Sequence, residues 1–146
     1  MKRLILLICL CSVSLFVNAQ ENNTNDIENI KSVIQTSYID GIQNLGKIKD
    51  IKKGFHKEFE LLSHRGEDLH KLPLETWIGY VKKAKKNNVK MNSKITCSYK
   101  MIDITGDAAI VKLELNREDK HLYTDYLSLY KFPEGWKIVG KTYQRF

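Results

Sequence analysis

Cysteine is nearly absent from this chain of 146 residues: there are three, and two of them, Cys9 and Cys11, fall within the first eleven positions. Those two lie in a segment expected to be removed, which leaves Cys97 alone and excludes an intrachain disulfide. Stability must therefore come from packing. Several catalytic signatures are missing as well. There is no glycine loop to cradle phosphate, no nucleophile elbow and no paired zinc-type cysteines, which removes most nucleotide-dependent and hydrolytic enzymes from contention. The four histidines, His56, His64, His70 and His121, are spaced by eight, six and fifty-one residues. No compact ligand motif has that spacing, so neither a metal nor a cofactor is expected.

Charge of one sign dominates only modestly. The formal net charge is +7. Lys2 and Arg3 precede an apolar run from Leu4 to Val17 that is too short for a membrane span and ends in Val17-Asn18-Ala19, the pattern of a signal peptide at residues 1–19 cleaved before Gln20. The residues before Cys9 and Cys11 do not suit lipid attachment. Loss of 19 of the 146 residues leaves 127, one domain, and loss of Lys2 and Arg3 lowers the net charge to +5. The mature chain is expected to be exported, periplasmic or secreted, and free of the membrane.

Residues 20–25 are polar and read as a flexible lead-in, with a single domain over 26–146. Ile27, Ile30, Val33, Ile34, Tyr38 and Leu45 recur at helical spacing. Asn25 and Glu28 resemble a capping box, and Gly46 is a stop. A short second helix spans about Ile48 to Phe55. Phe59–Leu62 and Leu69–Leu72 read as two short strands around the turn Arg65-Gly66-Glu67-Asp68. Pro73 opens a third helix whose buried stripe is Leu74, Trp77, Ile78 and Val81. Beyond Val89 the period falls to two, giving long strands at Ser93–Ile104, Ala108–Leu115, His121–Lys131 and Trp136–Phe146.

Helices grouped early and strands late make an α+β arrangement. The expected form is a curved antiparallel sheet of four long strands plus a short hairpin, packed on three N-terminal helices and curled into a cone with a pocket.

Tyr38-Ile39-Asp40-Gly41, Ile104-Thr105-Gly106-Asp107-Ala108-Ala109, Tyr123 to Leu129, Gly135 to Val139 and Lys141 together resemble the nuclear transport factor 2-like superfamily, which includes SnoaL-like cyclases, and within it the putative lumazine-binding branch. The resemblance spans nearly the whole mature chain. It implies a small exported bacterial domain with a cavity for an aromatic heterocycle or other small molecule. No position matches a steroid isomerase's catalytic pair, so no catalytic residue is assigned.

Asp125 is the sharpest single candidate, because alternation places it with Tyr123, Leu127 and Leu129 on one face of a strand. An acid among leucines either lines a wet pocket or is paired with a basic neighbour, and Lys141 on the adjacent strand is that neighbour. An even-numbered loop would set Leu129 against Ile138 and Asp125 against Thr142. Tyr38, Trp77 and Tyr99 are expected to supply aromatic walls, with Asp125, His64 and Lys141 as polar tips; the same aromatics also suit an ordinary core. Cys97 should sit indoors as a small apolar residue. The lysines from Lys82 to Lys90 lack interleaved aromatics and read as a solvated helix end, not a nucleic-acid surface.

Three functions remain open from the sequence: a non-catalytic binder of a small flat molecule, a cofactor-free isomerase, dehydratase or cyclase using Asp125 or His64, and a homodimeric scaffold joined through its outer sheet face.

Overall fold

The computed structural model describes residues 24–146. The proposed signal peptide at 1–19, and residues 20–23 of the lead-in, lie outside the described residues. The first helix, α1, is α-helical over 24–33 and π-helical over Ile34–Gln43. Asn25 sits within that helix, not at its cap, and its side chain accepts a hydrogen bond from Asn29. The buried stripe Ile30, Ile34, Tyr38 and Ile42 follows the four-residue spacing seen in the sequence. The helix closes when the Asn44 amide bonds Ile39 O and the Gly46 amide bonds both Asp40 O and Gly41 O. A Cβ at Gly46 would lie 2.5 Å from Asp40 O, so the turn requires glycine there.

Helix α2 (Ile48–Gly54) leads directly into strand β1 (Phe55–Arg65). Phe55 belongs to the strand, not to the helix. Gly54 ends α2 where it crosses α1 closely; a Cβ there would meet Ser37 Oγ at 2.1 Å. Strand β2 (Asp68–Pro73), helix α3 (Leu74–Lys86) and strands β3 (Ile95–Thr105), β4 (Ala108–Arg117), β5 (Lys120–Phe132) and β6 (Gly135–Arg145) complete the chain. The β1–β2 hairpin is longer than the sequence suggested, pairing Arg65 with Asp68 across Gly66 and Glu67, so Ser63 and Arg65 are strand residues.

All six strands form one sheet in the order β2-β1-β6-β5-β4-β3. Neighbours are antiparallel except β1 and β6, which are parallel: β1 docks on the edge that the C-terminal meander leaves free. The sheet is curved, and its ladders carry bulges between Tyr99 and Met101, between Leu115 and Asn116, and between Ser128 and Leu129. Its concave face packs on the helices through Phe59, Val111, Leu113, Leu115, Leu127, Leu129 and Ile138 against Ile34, Ile51 and Ile78, all at most 1 % exposed. Each such side chain contributes about 1.5–3 kcal/mol of hydrophobic stabilisation. Trp136 Nε1 and Lys131 both bond Asp26, tying the start of the described α1 to the β5–β6 turn.

The third bulge changes the register expected from the sequence. Leu129 does oppose Ile138, but the pairing then passes from Ser128 to Gly140, so Val139 is an extra residue on β6. Asp125 consequently opposes Tyr143, not Thr142. Because side chains alternate, one extra residue reverses every position beyond it. Trp136 and Ile138 face inward before the bulge, and Lys141 and Tyr143 face inward after it.

Candidate functional site

Lys141, turned inward by the Val139 bulge, lies diagonal to Asp125 and forms an ion pair with its Oδ1. Both are buried, Asp125 completely. A buried carboxylate needs all its acceptor capacity answered. Tyr38, four residues beyond Ile34 on the inner face of α1, donates its hydroxyl to Asp125 Oδ2 at 2.5 Å. Since that hydroxyl donates to the carboxylate, its oxygen accepts, and Gln43 Nε2 donates to it at 2.8 Å. Gln43 is five residues from Tyr38. That spacing matches the i to i+5 ladder of a π-helix, as does the Gln35 to Asp40 side-chain bond at 3.1 Å. The π-helical stretch is thus what stacks Gln43 beside Tyr38.

The electrostatics follow from burial. Desolvation, reinforced by the Asp125 charge and hydrogen bond, pushes the Tyr38 phenol well above its ordinary value. Desolvation pulls the Lys141 ammonium down, opposed by Asp125. The ammonium also lies 4.6 Å from the Tyr143 ring centre and 5.6 Å from that of Tyr38.

Above this network lies a cavity of about 420 Å³. Tyr38, Gln43 and Lys141 meet at one side of it, beside Tyr123 and Tyr143. Strand β1 presents Leu61, Ser63 and Arg65 by simple alternation, and β2 adds His70 and Leu72 directly opposite Ser63 and Leu61. Trp77 and Tyr80 of α3 close the far wall. Trp77 is fixed by stacking on Phe59 at 5.9 Å and by a tilted contact with Tyr38 at the same distance.

Of the residues singled out from the sequence, Tyr38, Trp77 and Lys141 converge on the cavity, and Asp125 stands behind Tyr38 and Lys141 without lining it. His64 and Tyr99 lie elsewhere. His64 alternates with Ser63 and Arg65 and points to the outer face, where it is exposed. Tyr99 on β3 bonds Lys31 O at 3.2 Å and packs beside the half-buried Cys97. Burial raises both the Tyr99 phenol and the Cys97 thiol. Lys85, within the lysine run, bonds Leu45 O and Gly46 O and so caps the end of α1. Gln43, Ser63, Arg65 and His70 were not singled out as pocket residues. Ser63 and Arg65 lay just past the predicted strand end, although Leu61-Ser63-Arg65 already carries the period of two.

Among the described residues no helix is long and apolar enough to cross a membrane, and no group of three or more His, Cys, Asp or Glu residues could hold a metal ion.

Solved structures share this architecture at low identity. A nuclear transport factor 2-like protein of unknown function from Shewanella baltica superposes with a TM-score of 0.67 at 19% identity, covering 84% of this chain and 95% of its own. One from Silicibacter pomeroyi gives 0.69 at 15% identity, over 85% and 98%. A de novo designed protein with a curved β-sheet reaches 0.52 at 12% identity, over 78% and 97%. No curated protein matches the chain. The model of one family does match, over residues 25–144, and on that match the chain belongs to the family described as putative lumazine-binding, within the nuclear transport factor 2-like superfamily.

Proposed function

We propose that this protein is an exported receptor that holds a small flat molecule, aromatic or heterocyclic, in the cone without transforming it. One observation carries the reading: a cavity of about 420 Å³ walled by Tyr38, Trp77, Tyr80, Tyr123 and Tyr143, with a few convergent polar groups, is the composition of a small-molecule site. The family description points the same way. A proton-transfer enzyme is the rival, and neither of the two residues singled out for it from the sequence, Asp125 and His64, lines the cavity. Asp125 does not line the cavity but stands behind Tyr38 and Lys141, which engage its two oxygens. His64, the other candidate, faces away from the cavity.

Trp77 reports the test. In a Trp136→Phe background it is the only tryptophan, and flat bicyclic heterocycles titrated into the protein should quench its emission saturably. Native mass spectrometry should show one adduct per chain, with the added molecule recovered unaltered. Recovery of a changed molecule would restore the enzyme, and no quenching or adduct across the panel at millimolar concentration would overturn the receptor. Export is tested on the full chain by osmotic-shock fractionation and N-terminal sequencing: a periplasmic or secreted form beginning at Gln20 is expected, and an uncleaved cytoplasmic one would refute it.

A further inference from the structure

We propose that the molecule held in the cone is an anion, a flat aromatic ring system bearing a carboxylate or equivalent acidic group, and that Arg65 at the cavity mouth is the residue that selects it. The inference rests on the receptor reading above and adds the charge of its ligand.

The cavity is lined by Arg65, His70, Lys71 and Lys141 and by no aspartate or glutamate. Its charge is not merely that of the whole surface. Two other clefts of the described residues each include acid: Glu134 in the one between α1 and the β5–β6 turn, and Glu58 and Glu60 in the one on the outer sheet face. Within the cavity the cations are also not equivalent. Lys141 is answered by Asp125. Lys71, opposite Leu62, borders the cavity but sends its ammonium to the outer face, where it pairs with Glu60 at 3.2 Å. Arg65 has no ion-pair partner among the described residues; even Asp68, directly opposite it in the β1–β2 pair, forms none.

Position sharpens the point. Arg65 shares a strand face with Leu61 and Ser63, so its stem leaves the sheet on the cavity side, while its place at the end of β1 keeps it exposed. A guanidinium there presents a planar fork of donors that fits a carboxylate with two parallel bonds. The aromatic walls would hold the ring system, and its acidic group would project toward the mouth, where the ligand keeps part of its hydration and no buried charge is left unpaired. At the inner end the Lys141 ammonium is already answered by Asp125, so the unpaired positive charge of the cavity lies at the mouth.

The probes are carboxylate and carboxamide pairs on three flat frames, naphthalene, quinoline and indole, measured by calorimetry at low and at physiological salt. In wild-type protein each acid should bind at least about fivefold more tightly than its amide, and more so at low salt. Arg65→Gln should bring the two members of each pair to within about twofold, and Arg65→Glu should reverse the order. Lys120→Gln, an equal charge change at an exposed position off the cavity lining, should leave the ratio as it is. Equal affinity for acid and amide in wild type, or a preference that survives Arg65→Gln, would overturn the anion inference while leaving the receptor standing. Failure of every probe to bind would overturn the receptor reading and this inference with it.

Discussion

Replacing Asp125 with asparagine keeps the shape of the side chain and removes its charge. The Tyr38 hydroxyl can still donate to the amide oxygen, so the cost falls on Lys141, which becomes a cation in a site 5% exposed with only the rings of Tyr38 and Tyr143 for company. Those rings recover about 0.5–2 kcal/mol. Removing one partner of a buried pair costs about 3–5 kcal/mol. In a domain of this size that is a fall of roughly 10–20 °C in melting temperature, read by circular dichroism and urea titration. Lys141→Met should cost a similar amount by stranding the carboxylate. The double variant Asp125→Asn/Lys141→Met leaves no buried charge and should recover most of the loss, coming within about 1–2 kcal/mol of wild type. A pH series adds a second check. Without Asp125 the Lys141 ammonium is held further below its unfolded value, so in the window between the two values the unfolded chain binds more protons and stability rises with pH. The Asp125→Asn deficit should therefore narrow between neutral pH and about pH 9.5. A single variant within 1 kcal/mol of wild type, or a double variant no better than the sum of the singles, would refute the reasoning.

Tyr38→Phe leaves Asp125 Oδ2 and the Gln43 amide without their shared partner and should cost about 1–3 kcal/mol. Because the folded phenol titrates above the unfolded one, its contribution is intact below pH 10 and is lost as pH rises beyond it; the wild-type advantage over Tyr38→Phe must shrink there, and parallel curves would deny the shift. Gly54→Ala should destabilise by about 1–3 kcal/mol, since the new Cβ would overlap Ser37 Oγ and Cβ, and much less in a Ser37→Gly background; equal costs in both would place the strain elsewhere. Deleting Val139 removes the extra residue while leaving Lys141 opposite Leu127, so Lys141 should stay inward and remain spared by an amine-reactive reagent; labelling of Lys141 in the deletion variant would show that Val139 is not the residue the ladder leaves out.

Regular elements were legible in the sequence because each is written in a period: Ile30, Ile34 and Tyr38 by fours, Leu113 and Leu115 or Leu127 and Leu129 by twos. The same logic marked Asp125 as anomalous and named Lys141 as its neighbour, and the ion pair is there. What alternation could not supply was the geometry joining them. On an unbroken ladder Asp125 faces the side of Thr142, and Lys141 points to solvent; one extra residue, Val139, exchanges them. Gln43 was missed for the parallel reason. At i+5 from Tyr38 it belongs to a different face of an α-helix, and only the π-helical ladder of Ile34–Gln43 stacks the two. The bulge has one local sign, the strand-interior Gly140 beside Val139, which alternation of apolar residues does not weigh; no proline, glycine pair or charge pattern marks the α-to-π change at residue 34. Each is settled by the whole assembly: the bulge is stable because it delivers a counter-charge to Asp125, and the widened turn holds a donor against Tyr38. The two meet in one network of four side chains, three of which border the cavity. A sequence whose local rules fail at two separated places that converge on one buried acid is organised around that acid, and the cavity wall depends on the network it anchors.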